Sequence, residues 1–183
     1  MDARPATSEE KERFSSGGRP FLLVLRGPWG LRVDRALLRA TGYSLVTAQY
    51  AWATGQPYTD TLMLTTIGAK SRELRTACLP FYRVGDDLIV RGSNGGGATD
   101  PHWVHNVRAH PEAWIRVHRR ELPVQAHVAG GEERVRLYAT LCDLSASTAA
   151  YQHMCAPREL PLVVLRGWGG FLREDLREDR RDS

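Results

Sequence analysis

Gly68-Ala69-Lys70-Ser71-Arg72-Glu73-Leu74-Arg75 holds the residue types best suited to gripping an anion. A glycine permits an unusual backbone angle, a turn there exposes N–H groups, and Lys70, Ser71 and Arg75 add donors and positive charge. That set suits a phosphate or carboxylate tail. The plainer reading is a hairpin turn whose cations point into water. It is not a P-loop, because the GxxxxGK[ST] spacing is absent. Lys70 carries extra weight, since Lys11 is the only other lysine among 25 basic residues. A second stretch, Arg91-Gly92-Ser93-Asn94-Gly95-Gly96-Gly97, pairs glycines that let a backbone approach a flat ligand with Ser93 and Asn94, which can hydrogen-bond its polar edge. Its alternative is an ordinary connecting loop.

Other chemistries fare worse. His102 and His105 stand three residues apart and His110 follows, but no carboxylate matches their helical spacing. His118 and His127 fall on other elements, so no metal is expected. Trp103 reads as core packing before it reads as a ligand platform. GxSxG is missing, and Cys78, Cys142 and Cys155 have no activated setting. With no reactive group of the protein's own in view, catalysis would belong to a bound cofactor.

Elements must hold these stretches in place. Residues 61–67 are rich in β-formers and run into the Gly68 turn; 74–84 read as a second strand and 88–91 as a third, each closed by turn residues. Asp100-Pro101 marks a helix start, with Asp as the cap and Pro in the first turn, for a helix reaching His110. Two alternating strands follow at 113–118 and 122–128, then helices at 131–141 and 147–155 and a last strand at 161–165. Earlier, 31–41 has helical spacing and stops at Gly42. Trp29, Tyr43, Tyr50, Trp52 and Tyr58 read first as core packing, with a cover over a substrate opening or a peripheral membrane contact as alternatives. About six antiparallel strands with flanking helices in one small domain predict a mainly β (α+β) closed or partly closed barrel. No strand–helix alternation calls for a doubly wound sheet.

The 183 residues fit one domain at 21–170, after a polar lead at 1–20 expected to be disordered and before a charged tail at 171–183. The net charge of +4 comes from arginines scattered beside acids, which argues against nucleic acid as a partner. The longest purely apolar run, Phe21–Leu25, is far below the ~20 residues needed to cross a bilayer. No signal sequence is read at the start, and three cysteines without CxxC spacing suit a reducing cytosol.

Taken in order, Leu64-Thr65-Thr66-Ile67-Gly68-Ala69-Lys70-Ser71, Arg75, Ser93-Asn94-Gly95-Gly96, Pro101-His102-Trp103, Asn106 and Arg108-Ala109-His110-Pro111 resemble the deazaflavin-dependent nitroreductase and quinone reductase family. Tyr151-Gln152 and Arg158-Glu159-Leu160-Pro161-Leu162-Val163-Val164 resemble its C-terminal pattern, so the likeness runs from about Leu62 to Leu165. The resemblance implies a split β-barrel related to FMN-binding barrels. It also implies hydride transfer from reduced coenzyme F420, an 8-hydroxy-5-deazaflavin, to a quinone, nitro compound or activated double bond. Lys70, Ser71 and Arg75 would hold the coenzyme's anionic tail. Thr76, Ala77, Cys78, Leu79, Pro80, Arg91, Gly92, Ser93 and Asn94 would line the ring, with His102, Trp103 and Asn106 closing the pocket. Ser93 and Tyr151 are the candidates to donate a proton or hydrogen bond to the acceptor. Departures from the family pattern are Ala69 for a basic residue, Arg72 for a glycine, and a stretch at 143–148 without the tyrosines that some members place over the substrate. Other readings are an FMN-dependent oxidoreductase on the same barrel or a non-catalytic cofactor-binding protein. A homodimer is the assembly such barrels suggest.

Overall fold

The computed structural model describes residues 6–10, 28–118 and 120–167. The tail expected at 171–183 lies outside them, as does most of the lead at 1–20. Within the lead, Thr7 and Glu10 exchange reciprocal backbone–side-chain hydrogen bonds of 2.7 and 3.2 Å around a helical turn, so that short piece is capped rather than shapeless.

Six antiparallel strands close into a barrel in the order β1-β2-β3-β6-β5-β4. They are β1 (Thr61–Ile67), β2 (Leu74–Val84), β3 (Asp87–Arg91), β4 (Glu112–Val117), β5 (Arg120–Val128) and β6 (Leu162–Gly167). Alternation does the sorting: Leu62 and Leu64 point inward and are fully buried, while Met63 and Thr65, alternating with them, stay half-buried. Ile115, Val117, Val124, Ala126, Val163 and Leu165 join the same interior. Each fully buried Leu or Ile contributes about 1.5–3 kcal/mol. β6 is different, because Leu162-Val163-Val164-Leu165 is buried without alternation. One of its faces lines the barrel. The other meets a second cluster with Ile89, Leu141, Cys155 and Leu160.

Among the described residues, five longer helices accompany the barrel: α1 (Pro28–Thr41), α2 (Leu45–Thr54), α3 (His102–Ala109), α4 (Gly131–Leu144) and α5 (Ser147–Cys155). α3 presses Trp103, Val104 and Val107 into the barrel core. α2 was not anticipated from the sequence, although Ser44 caps it by accepting from the Thr47 amide at 3.1 Å and Gly55 ends it in the left-handed conformation. Asp34 of α1 ties the two helices together, accepting from Ser44 Oγ at 2.9 Å and the Val46 amide at 3.1 Å. Core packing fails for three of the five early aromatics. Trp29 is 76% exposed, Trp52 57% and Tyr43 44%, since they lie on outer surfaces of α1, α2 and the link between them. Tyr43 stacks on Tyr58 with ring centroids 4.7 Å apart, and Tyr50 lies beside Tyr151.

Candidate functional site

The β1–β2 turn, the loop after β3 and the start of α3 border one cleft of about 1040 Å³. The turn lines it with Gly68 to Ser71 and Arg75, the loop and helix start with Asn94 and Thr99 to Trp103, and Thr76, Ala77, His105 and Asn106 complete it. At or just above the top of the usual range for small-molecule pockets, about 300–1,000 Å³, it has room for a cofactor-sized ligand. Lys70 and Ser71 are exposed at its edge, and Lys70 makes no ion pair among the described residues. Arg75 is paired with Glu73.

Asn106 explains why the turn and the helix stay together. This buried side chain accepts from the Ala69 amide at 2.9 Å and donates to Thr66 Oγ1 at 3.0 Å, joining α3 to both the turn and β1. Arg72 adopts φ +62°, the left-handed region that favours glycine. This accounts for the glycine the resemblance expects there. The Arg72 guanidinium reaches toward His110, 3.4 Å away.

Asp100 does not cap α3. Pro101 occupies the cap position and no side chain serves the first-turn amides. Two guanidinium groups compete for the carboxylate instead: Arg158 Nη1 binds Oδ1 at 2.9 Å and Arg108 Nη1 binds Oδ2 at 2.6 Å. Charged donors outbid a neutral amide. The result leaves the positive end of α3 facing the cleft without an attached carboxylate.

The glycines after β3 answer to the protein's own packing. A Cβ on Gly92 would meet Val104 at 2.9 Å, and one on Gly96 would meet Met154 at 2.8 Å. Arg158 fastens this loop. It donates to the carbonyls of Gly92 (3.1 Å), Ser93 (3.1 Å) and Gly97 (2.9 Å), to Asp100, and to Cys155 Sγ. Its neighbour Gln152 accepts from the Leu160 amide and donates to the Arg158 carbonyl, holding the segment in place. Sequence reasoning gave Arg158 no role of its own.

Of the expected site residues, Lys70, Ser71, Arg75, Thr76, Ala77, Asn94, His102, Trp103 and Asn106 share the cleft. Gly68 and Ala69 of the same turn, and Asp100, Pro101 and His105 of the junction into α3, line it as well, and Thr99 joins them unforeseen. Cys78, Leu79, Pro80, Arg91, Gly92, Ser93 and Tyr151 lie outside its lining. Cys78 sits close to Arg35 and Asp34 of α1, and burial pushes its thiol above the usual range. Leu79 packs against the barrel core. Pro80, Arg91 and Tyr151 border a separate cavity of about 80 Å³ under α2. Ser93 links the two regions by sequence, and its carbonyl is held by Arg158 and Cys155. Burial, above all other influences, raises the Tyr151 phenol's pKa, so it stays protonated at neutral pH. Among the described residues no group of His, Cys, Asp and Glu is placed to hold a metal. No described helix is long and apolar enough to cross a membrane.

Residues 38–167, which include the whole barrel and the cleft, match the F420H(2)-dependent quinone reductases. The chain belongs to that family. An F420H(2)-dependent quinone reductase of Mycobacterium tuberculosis is 32% identical over 109 residues, 57% of this chain and 71% of that protein. A second, described as putative, from the same organism is 31% identical over 106 residues, 58% of this chain and 88% of that protein. Among solved structures, an F420-H2-dependent reductase superposes with a TM-score of 0.52 at 27% identity, covering 58% of this chain and 93% of that one. A chain described as a domain-swapped dimer reaches 0.54 at 25% identity, covering 74% of this chain and 94% of that one. Membership in the quinone reductase family makes the protein an F420-dependent oxidoreductase. The expected barrel is present, with the strand order given above.

Proposed function

We propose that the cleft binds coenzyme F420 by its anionic tail, and that the protein passes a hydride from the reduced coenzyme to a quinone. Nitro compounds and activated double bonds are further acceptors, because each offers an electrophilic atom to the same donor. One observation carries the reading. A cationic turn and an uncapped helix start line one cleft of cofactor size. The donor set fits the coenzyme, with Lys70, Ser71 and first-turn amides for negative charge and Ala77, Pro101 and Trp103 as apolar walls for a flat ring.

When bound, the reduced coenzyme supplies two electrons and a proton as hydride; a second proton then completes the hydroquinone. The protein's part is positioning. Lys70 and Ser71 hold the tail, Asn106 keeps the turn against α3, and Arg158 fixes the loop carrying Ser93 and Asn94. Fixing donor and acceptor in one geometry is where an enzyme of this kind gains rate. Ser93 and Tyr151 remain the proposed donors to the acceptor oxygen, and the raised pKa of Tyr151 keeps its proton available. The three cysteines are free thiols, in keeping with work in a reducing cytosol. A homodimer is proposed by likeness to the domain-swapped neighbour.

The direct trial mixes purified protein with reduced F420 and 2-methyl-1,4-naphthoquinone and follows the oxidised coenzyme's absorbance. Quinone-dependent oxidation is expected. No binding of either redox form defeats the proposal, and a protein purified yellow with tightly held flavin assigns the cleft to FMN instead.

A further inference from the structure

Arg91 ends β3 as a cation that no carboxylate neutralises among the described residues. Its Nη1 donates to Ser147 Oγ at 3.0 Å and Thr148 Oγ1 at 2.8 Å, and its Nη2 to the Tyr82 hydroxyl at 2.7 Å. The guanidinium also lies over two rings, 4.7 Å from the Tyr82 centroid and 5.1 Å from that of Tyr151. All these partners are hydroxyls and aromatic rings, and none is a carboxylate. Hydroxyls and ring faces can hold a guanidinium in place, but they leave its charge uncompensated in a partly desolvated setting. Such a setting favours an incoming anion over an uncharged group of equal shape.

This cation borders the 80 Å³ cavity together with Thr47, Tyr50, Ser147 and Tyr151. The space suits one oxygen-bearing edge of a ring rather than a whole bicyclic ligand. One strand and the loop leaving another set its distance from the large cleft. Arg91 and Asn94 are three residues apart, as are Pro80 and Ala77, and in each pair the first borders the small cavity and the second the large one. Three residues span at most about 11 Å, the scale of a two-ring acceptor. Arg91 therefore stands where the far edge of an acceptor would reach from a donor held in the cleft.

We propose that Arg91 makes this cavity a subsite for an anionic oxygen on the electron acceptor, selecting quinones with an ionised hydroxyl or carboxylate over neutral ones. The assignment of the acceptor rests on the reading under Proposed function; the anion preference of the cavity does not. A purely structural role for Arg91, fastening α5 to β3, would show no such preference.

Calorimetric titration with 2-naphthoate and its uncharged isostere 2-naphthamide tests the subsite, run with and without saturating oxidised F420. In the wild-type protein 2-naphthoate is expected to bind at least tenfold more tightly than the amide in both conditions. Saturating coenzyme covers Lys70 and Arg75, so the preference it leaves cannot come from them. Arg91→Met should bring the ratio to within twofold while the coenzyme's dissociation constant stays within threefold of wild type. A wild-type ratio near one overturns the subsite even if Arg91→Met does not fold, and so does a tenfold ratio that survives Arg91→Met. Loss of the preference only when coenzyme is added also overturns it, because the anion was then occupying the cleft. Failure to bind coenzyme at all defeats the proposed function, while the coenzyme-free titration still decides the subsite.

Discussion

Arg75 directs its charge at Glu73, two residues away, whereas Lys70 makes no ion pair among the described residues. The two cations of the turn should therefore contribute unequally. Lys70→Ala is expected to weaken coenzyme binding by ~1–3 kcal/mol, the range for a hydrogen bond to a charged group. Arg75→Ala should cost less, and Glu73→Gln should tighten binding by releasing Arg75; fluorescence titration of the coenzyme ranks all three. Equal losses at Lys70 and Arg75 would show that Glu73 gives way when the ligand arrives. Arg72 offers a stability test. Its φ of +62° is strained for a side chain with a Cβ, so Arg72→Gly should stabilise the fold by up to ~1 kcal/mol, read as a higher melting temperature. Lys70 and Ser71 were legible in the sequence because their meaning is local: a glycine turn with donors. Arg158 was not, because its partners at Gly92, Ser93, Gly97 and Asp100 lie 58 to 66 residues away. Arg91 was read as part of the ring site, and nothing local says that its guanidinium turns toward α5 instead.

At the scale of elements, the strands were readable wherever one face meets the core and the other meets solvent, as in β1 and β4. β6 was readable for the opposite reason, being a short apolar run buried on both sides. α2 escaped because its apolar residues keep to no single face, and only Ser44 and Gly55 at its ends signalled it. Asp100 showed the limit of local capping rules, since two arginines distant in sequence or across the helix claimed its carboxylate. The contacts between elements should be measurable. Asn106→Ala removes both bonds that join α3 to the turn and β1, and is expected to destabilise the protein by about 1–3 kcal/mol. Faster hydrogen exchange at the Ala69 amide should accompany it. Arg158→Met should raise exchange across 92–97 while leaving β1 and β4 protected, because the loop hangs on that side chain and the barrel does not. Exchange that rises everywhere would instead make Arg158 a general support of the fold.

Across the molecule, the closed barrel supplies rigidity and the connections at one turn, one loop and one helix start supply the cleft. The barrel was legible from strand count and turn spacing. The exposure of Trp29 and Trp52 was not, since an aromatic in an apolar segment reads the same whether it faces inward or outward. Burial raises the pKa values of Tyr58 and Tyr151, which gives the whole fold an alkaline limit. An unfolded tyrosine releases its proton near pH 10 while these two retain theirs. Stability should therefore hold below about pH 10 and fall above it, as urea unfolding at pH 8.5 and 10.5 would show. The central claim is that the cleft beside Lys70 is the seat of the coenzyme. Titrating F420 into the wild-type protein and into Lys70→Ala, with melting temperatures matched as a control, tests it most directly. Saturable binding to the wild type and at least about fivefold weaker binding to the folded variant are expected, the lower end of the loss given above. Absent binding, or an affinity untouched by the loss of Lys70, would contradict it.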